Sequence, residues 1–250
     1  MYPNIVENFK NEKFIESRAI LASNIETIDK INVYIISLIP YEKEYLSSDS
    51  VDRSDIVYNS PPETITLEFL NKLKTSGLPN HNIKLKSGTP IMLLRNLDQS
   101  EGFCNGTRLI VTRLANHVIE ANIISGKNIE NLIYIPGISL SPSQSPWPFK
   151  FIRRQFPITV SYAMTINKSQ GQSLKAIRLY FPKPVFSHGQ LYVTFSRVQS
   201  KQCLKILIHD KEGKSLKTTT NVVFKEIFSK SVVNCNLINC FIYGIFMCNY

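Results

Sequence analysis

The spacing of apolar residues along the chain changes twice, and each change marks a different kind of predicted structure. Near the amino end, an apolar run from Arg18 to Ser23 precedes a segment with apolar residues at helical spacing from Ile25 to Leu38. The run predicts a short buried strand, and the segment predicts a helix that begins with a capping box between Ser23 and Glu26. A strand that leads into a helix is the usual beginning of a parallel α/β unit.

A strand and a polar loop are predicted from Tyr41 to Ser50, and a capping box at Ser60 to Glu63 predicts a helix that ends near Gly77. The spacing of apolar residues then changes after His81, where short β-rich runs are separated by turns rich in Gly, Asn, Ser and Lys. These runs predict a small antiparallel barrel with strands at 83–97, 108–114, 118–124, 132–135 and 149–155.

The α/β pattern returns at Pro157. Strands are predicted at 158–160, 176–181 and 203–208, with a helix at 161–169 that is ended by Gly171 and a capped helix from Ser187 to about Val198. The predicted fold class is therefore α/β, a parallel sheet domain interrupted by a small β-barrel insertion. Its predicted segments are 14–82 and 157–210 for the α/β domain, 83–156 for the insertion, and 211–250 for a tail without clear periodicity.

The charge of the chain is concentrated in one region. The formal net charge is +10, and no Asp or Glu occurs between Asn131 and His209, where ten Lys or Arg fall. Such a region suits a surface that contacts a polyanion, although a solvated basic face remains an alternative. A membrane surface is disfavoured because the cations are spread through an α/β pattern instead of along one amphipathic helix.

The cysteines and the ends of the chain favour an intracellular protein. Five cysteines form no CxxC pair, so we predict reduced thiols and no metal site. The amino end shows no secretory signal, and the apolar patch from Cys240 to Cys248 is shorter than the ~20 residues that span a membrane.

Two polar segments occupy predicted junctions between strands and helices. The first is Thr165-Ile-Asn-Lys-Ser-Gln-Gly-Gln-Ser173, and the second is Ser187-His-Gly-Gln-Leu-Tyr-Val-Thr-Phe-Ser-Arg197. The ends of parallel strands are where α/β proteins gather phosphate groups, and Thr and Lys side chains can hold backbone phosphates without reading bases. Taken alone, the first could be an ordinary helix with a polar end, and Arg197 could simply complement a helix dipole.

In this order the two segments resemble motifs V and VI of the superfamily-one DNA helicases. They are most similar to the PIF-type (petite integration frequency) helicases and to the helicases of Helitron transposons. The fragments 85–96, 104–108 and 151–157 also resemble the SH3-like insertion of that family, and the resemblance covers roughly Arg18 to Ile208. It implies a RecA-like domain with an SH3-like insertion, in an enzyme that couples ATP hydrolysis to movement along single-stranded DNA and acts in repair, recombination or telomere maintenance.

The resemblance also implies roles for individual residues. Arg197 corresponds to an arginine finger that reaches the γ-phosphate of ATP, with Gln170 and Gly171 near the nucleotide. Family members commonly carry His at the position of Asn167, and Asn can donate a hydrogen bond there but cannot become charged. The candidate DNA contacts are Thr165, Asn167, Lys168, Ser169, Arg153 and Arg154, of which the two arginines could instead dock the insertion onto the α/β domain.

A helicase also needs a P-loop and an acidic pair for Mg²⁺, and neither is found. Gly213-Lys-Ser215 is the only similar string, but Ile208 stands where the loop requires Gly. We therefore expect that this polypeptide does not hydrolyse ATP alone. ATP and Mg²⁺ would be used only with a first RecA-like domain, in cis or in trans.

Three functions are consistent with the sequence. The first is the carboxyl-terminal portion of an ATP-dependent DNA helicase, with the nucleus or the mitochondrion as the predicted compartment. The second is a single-stranded DNA-binding module that works without ATP, which the acid-free region favours. The third is a non-catalytic remnant derived from a transposon, for which an exposed apolar surface is expected.

Overall fold

The computed structural model describes residues 2–39, 43–52, 65–75, 77–124, 131–143, 147–169, 176–182, 204–209 and 214–216, together with a few single positions between them. The chain divides into two compact units. The first unit consists of Met1–Ile5, Lys13–Ile35 and Tyr162–Tyr250, and the second of Val6–Glu12 and Ile36–Ser161.

The first unit is built on a mainly parallel sheet. Its strands are ordered β12-β1-β13-β14-β15, of which the first four are parallel and β15 is antiparallel to β14. The bounds are β1 Arg18–Ala22, β12 Ala163–Thr165, β13 Ala176–Phe181, β14 Leu204–His209 and β15 Ser215–Leu216. Strand β1 is buried at four successive residues from Ala19 to Ala22, which explains why its sequence is continuously apolar instead of alternating.

Two helices that belong mostly to the first unit lie on either side of β1 in sequence, α2 (Glu12–Glu16) and α3 (Ile25–Leu38). Helix α3 buries Ile28, Asn32 and Ile35, as the helical spacing of this segment predicts. The predicted capping box with Ser23 is wrong by one position, since the Asn24 side chain accepts the Glu26 N–H at 2.8 Å. Asn is as good an N-cap as Ser, and Asn24 is the residue that directly precedes the helix.

Among its described residues, the second unit contains three small antiparallel sheets and the short helices α1 (Ile5–Asn8) and α4 (Leu67–Lys72). The largest sheet has the order β11-β5-β6-β7-β8, with strands Ile158–Val160, Pro90–Leu93, Arg108–Leu114, Val118–Ile123 and Leu132–Pro136. A second sheet has the order β3-β10-β9, with strands Ser48–Asp52, Lys150–Gln155 and Ile138–Leu140. The third pairs β2 (Lys43–Leu46) with β4 (Asn82–Leu85).

One hydrophobic core fills the second unit. Alternate residues of its strands point inward, so that Ile91, Leu93 and Leu109 of neighbouring strands are wholly buried. Helix α4 is capped by Thr66, whose hydroxyl accepts the Phe69 N–H at 3.2 Å. The bounds predicted for this helix, from Ser60 to near Gly77, are therefore wrong, because it begins at Leu67 after an extended Thr66 and ends at Lys72. The predicted capping box at Ser60 to Glu63 lies outside the described part of the chain.

Two differences from the sequence prediction bear on the site. The helix predicted at 161–169 is wrong, because the segment forms β12 followed by a 3-10 turn at Asn167–Ser169. Backbone pairing of this segment with β1 outweighs its helical pattern. The second unit also consists of Val6–Glu12 and Ile36–Ser161, whereas the predicted insertion spans 83–156. None of the described helices is long and apolar enough to cross a bilayer.

Candidate nucleic-acid interface

The predicted DNA contacts of the first polar segment begin where β12 ends. In the register of the sheet, Thr165 is paired with Ala22, the last residue of β1, and Ala22 is paired with Tyr180 of β13. The carboxyl ends of three parallel strands therefore meet at one edge of the sheet. This is the edge at which open α/β sheets bind ligands.

The turn after β12 is tightly hydrogen-bonded. The Ile166 N–H donates to the carbonyl of Ala22 at 3.3 Å, which joins the turn to the end of β1. The hydroxyl of Thr165 accepts the Lys168 N–H at 3.2 Å and begins the 3-10 turn. Asn167 is exposed and Lys168 is half-buried, so both side chains are placed at the surface of this edge.

Ser169 does not fit the predicted role. It is wholly buried, and its hydroxyl donates to the carbonyl of Ile166 at 2.6 Å. Its position as the third residue of the turn directs the side chain back into the unit. The prediction that the Ser169 side chain contacts DNA is therefore wrong, and its role is to hold the turn.

The same edge carries the beginning of α3. Ser23 and Asn24 follow β1 directly and are half-buried and exposed, respectively. The positive end of the dipole of this 14-residue helix is therefore close to the turn in the topology of the sheet. Glu26 is the acidic residue of the first helical turn, and the turn at Asn167–Ser169 contributes only Lys168 as a charge.

The structure corrects the prediction for Arg153. Its side chain is 1% exposed and forms a bidentate ion pair with Asp49, with Nε–Oδ1 at 2.9 Å and Nη2–Oδ2 at 2.6 Å. The remaining N–H groups donate to the carbonyls of Leu70, Leu73 and Pro79 at 3.0–3.2 Å. Because its N–H groups all donate to acceptors inside the second unit and its side chain is buried, this guanidinium cannot reach a DNA phosphate.

Arg154 has the opposite surroundings. It is exposed on the outer face of β10, and no hydrogen bond or ion pair to it is found within the described residues. The register pairs it with Ser48 of β3 on one side and with Ser139 of β9 on the other, and both serines are exposed. Residues paired directly across strands lie on the same face, so a cation stands between two hydroxyls. We call these three residues the Arg154 row.

The remaining predicted site residues lie outside the described part of the chain. They are Gln170, Gly171 and Arg197, and the capped helix predicted at 187–198 lies there with them. Among the residues that are described, no group of three His, Cys, Asp or Glu side chains is arranged to hold a metal ion.

Sequence reasoning missed three residues near these sites. Ser48 and Ser139 are unremarkable in sequence, and only the strand register brings them beside Arg154. Asn32 could have been noticed in the sequence, because it is a polar residue within the apolar stripe of α3 and a buried polar side chain needs a hydrogen-bond partner. Its amide is hydrogen-bonded to the backbone of β12 in both directions.

Comparison of the sequence and the fold with known proteins finds similarity to PIF1-type DNA helicases. Residues 68–114, which lie within the second unit, match the family described as DNA helicase Pif1, 2B domain. The ATP-dependent DNA helicase PIF1 of Xenopus laevis is 33% identical over 137 residues, which are 52% of this chain and 20% of the relative. The human ATP-dependent DNA helicase PIF1 is 31% identical over 134 residues, 51% of this chain and 20% of the relative.

Solved structures of Pif1 proteins share the fold. Bacteroides Pif1 bound to single-stranded DNA has a TM-score of 0.58 at 21% identity, covering 90% of this chain and 51% of that one. Pif1 helicase from Candida albicans has a TM-score of 0.56 at 18% identity, covering 86% and 55%. The chain spans about a fifth of the length of the curated relatives that it matches. The chain is therefore similar to PIF1-type DNA helicases, and its residues 68–114 match their 2B domain.

Proposed function

We propose that this chain is the DNA-tracking part of a PIF1-type ATP-dependent DNA helicase. In this proposal the first unit is the second RecA-like domain and the second unit is its SH3-like insertion. The chain binds the backbone of single-stranded DNA, and a first RecA-like domain, in cis or in trans, binds ATP and Mg²⁺ through its P-loop. The observation that carries the proposal is the polar turn at the carboxyl end of β12, in a chain whose relatives are DNA helicases.

The turn suits phosphate groups for a physical reason. Lys168 provides a cation, Asn167 provides an amide donor, and the Thr165 hydroxyl orders the turn through its bond to the Lys168 N–H. Such groups recognise the DNA backbone and ignore base identity, as an enzyme that moves along any sequence requires. The region from Asn131 to His209 adds attraction, because its ten cations are accompanied by no carboxylate within the region itself.

The Arg154 row offers a second backbone contact, on the second unit. Its guanidinium binds a phosphate in a planar fork, and the hydroxyls of Ser48 and Ser139 can donate to the same oxygens. The buried Arg153 has no part in this contact. The proposal therefore keeps one arginine of the predicted pair and replaces the other with two serines.

The proposal is tested by binding of a fluorescent oligo(dT) to the purified chain, measured by anisotropy over a salt series. Replacing Lys168→Ala should weaken the free energy of binding by ~1–3 kcal/mol, the range of a charge-assisted hydrogen bond. The slope of log affinity against log salt should fall by about 0.7, as expected for one lost phosphate contact on a single strand.

Lys13→Ala is the matched control. Lys13 is an exposed cation of the same unit, but it precedes β1 and so stands at the opposite edge of the parallel sheet. It should retain the wild-type affinity and salt slope. If both variants bind oligo(dT) equally well, the turn after β12 is not the DNA contact.

A DNA-binding module that works without ATP is the second candidate, and the acid-free basic region favours it. The two candidates differ when the chain is mixed with a first RecA-like domain from a PIF1-type relative. The helicase proposal requires DNA-stimulated ATP hydrolysis in the mixture. If adding DNA and this chain does not raise the rate of ATP hydrolysis, and the chain alone binds DNA strongly, the result supports the DNA-binding module instead.

A further inference from the structure

Strand β12 has one strand neighbour within the described part of the sheet. The Ile20 N–H of β1 donates to the carbonyl of Tyr162 at 3.1 Å, and Ile20 stands opposite Ala163 in the parallel register. In a parallel pair, the N–H and C=O of alternate residues point away from the partner strand. The backbone groups of Ala163 therefore point toward the open edge of the sheet, although Ala163 is 1% exposed.

The side chain of Asn32 completes this edge. Its Nδ2 donates to the carbonyl of Ala163 at 3.1 Å, and its Oδ1 accepts the Ala163 N–H at 2.8 Å. Asn32 is 6% exposed, so both bonds are shielded from water. A side-chain amide has the same donor and acceptor as a peptide group, and this one takes the place of a neighbouring strand.

Few other side chains could make the same pair of bonds from this position on α3. Asp accepts the N–H but presents a second oxygen to the carbonyl of Ala163. Leu and Ala leave both backbone groups buried without a partner, and each such group costs ~1–3 kcal/mol. The arrangement is therefore specific to an amide at residue 32.

We propose that Asn32 is a positioning residue for the DNA-contacting turn. Thr165 lies two residues after Ala163 in a strand of three residues, so the Asn32 amide fixes the strand from which the turn begins. Loss of the amide removes both bonds from the outer edge of β12, so the strand that carries the turn with Thr165 and Lys168 is held less firmly. The inference rests on the proposed function, because it assigns Asn32 a part in presenting Lys168 to DNA.

The experiment compares Asn32→Ala with Ile28→Ala. Ile28 is 7% exposed and lies one turn earlier on the same buried face of α3, so its loss also lowers stability but leaves the Ala163 bonds intact. Both variants are assayed for oligo(dT) binding at a temperature where urea unfolding shows them folded. We expect Asn32→Ala to bind about three- to tenfold more weakly, the factor of one or two lost hydrogen bonds, while Ile28→Ala binds as the wild type.

Hydrogen exchange gives a second readout that a general loss of stability does not produce. The Ala163 amide should exchange faster in Asn32→Ala relative to the amides of β13, whereas Ile28→Ala should change both together. Equal affinities of the two variants, or a uniform change in exchange, would overturn the inference. If Lys168→Ala loses affinity and Asn32→Ala does not, only the inference fails; if Lys168→Ala binds normally, the proposed function fails first.

Discussion

Arg153 and Arg154 are neighbours on one strand, and the alternation of β10 sends them to opposite faces. Arg153 is enclosed with Asp49 and three backbone carbonyls, while Arg154 is exposed between two serines. Two of these carbonyl bonds, to Leu70 and Leu73, involve the end of α4, so Arg153 also caps that helix. The same residue type therefore stabilises the second unit at one position and is available to a ligand at the next.

Substitution of these two residues should give opposite results. Arg153→Met leaves the Asp49 carboxylate buried without its partner and should lower the free energy of unfolding by about 3–5 kcal/mol, measured by urea denaturation. Arg154→Met removes an exposed charge and should change the free energy of unfolding by less than about 0.5 kcal/mol. A small effect of Arg153→Met on stability would mean that water or another group replaces the guanidinium.

At the scale of elements, the turn between β4 and β5 is fixed by a glycine. Gly88 has a φ of +90°, and a Cβ there would lie 2.7 Å from the backbone oxygen of Phe9. Its N–H donates to the carbonyl of Val111, and the ammonium of Lys86 lies 4.5 Å from the centre of the Phe9 ring. The segment Val6–Glu12 thus packs against this turn as part of the second unit.

A comparison of Gly88→Ala with Gly106→Ala distinguishes the cost of backbone strain from the cost of the clash with the Phe9 backbone. Gly106 has a similar φ of +93°, but no atom lies within 4 Å of its added Cβ. Gly106→Ala should cost only the backbone strain, about 1 kcal/mol, whereas Gly88→Ala should cost clearly more because the Phe9 backbone must move. Thermal unfolding of both variants measures the two losses of stability. Equal losses would show that the segment Val6–Glu12 moves away from the new Cβ at no energetic cost.

For the whole molecule, the proposed helicase function makes Arg197 the test of cooperation between domains. Arg197→Ala should leave oligo(dT) affinity unchanged and reduce DNA-stimulated ATP hydrolysis with a first RecA-like domain by ~10³-fold, the effect of a lost arginine finger. Hydrolysis is followed by phosphate release. Loss of DNA binding with normal hydrolysis would instead place Arg197 in the DNA interface.

The two units differ in how well local patterns predict them. In the first unit, β1, α3 and β13 are each marked by their own apolar spacing, and the structure confirms their type. The segment from Ser161 to Ser169 has a helical spacing and nevertheless forms a strand and a turn. Its conformation is decided by β1 and by Asn32, both more than 130 positions away in sequence, and no local pattern reports such contacts.

The sequence by itself determined the α/β character, the antiparallel strands between the two α/β segments, and the polar, acid-free composition of the segment from Thr165 to Lys168, but not its conformation. These features depend on residue type and on local spacing, which a sequence displays directly. Only the tertiary structure decided that Arg153 is buried while Arg154 is exposed, that Ser169 faces inward, and that Asn32 completes the edge of β12. Each of these depends on which distant backbone groups need a partner, and that is fixed only when the strands are brought into register.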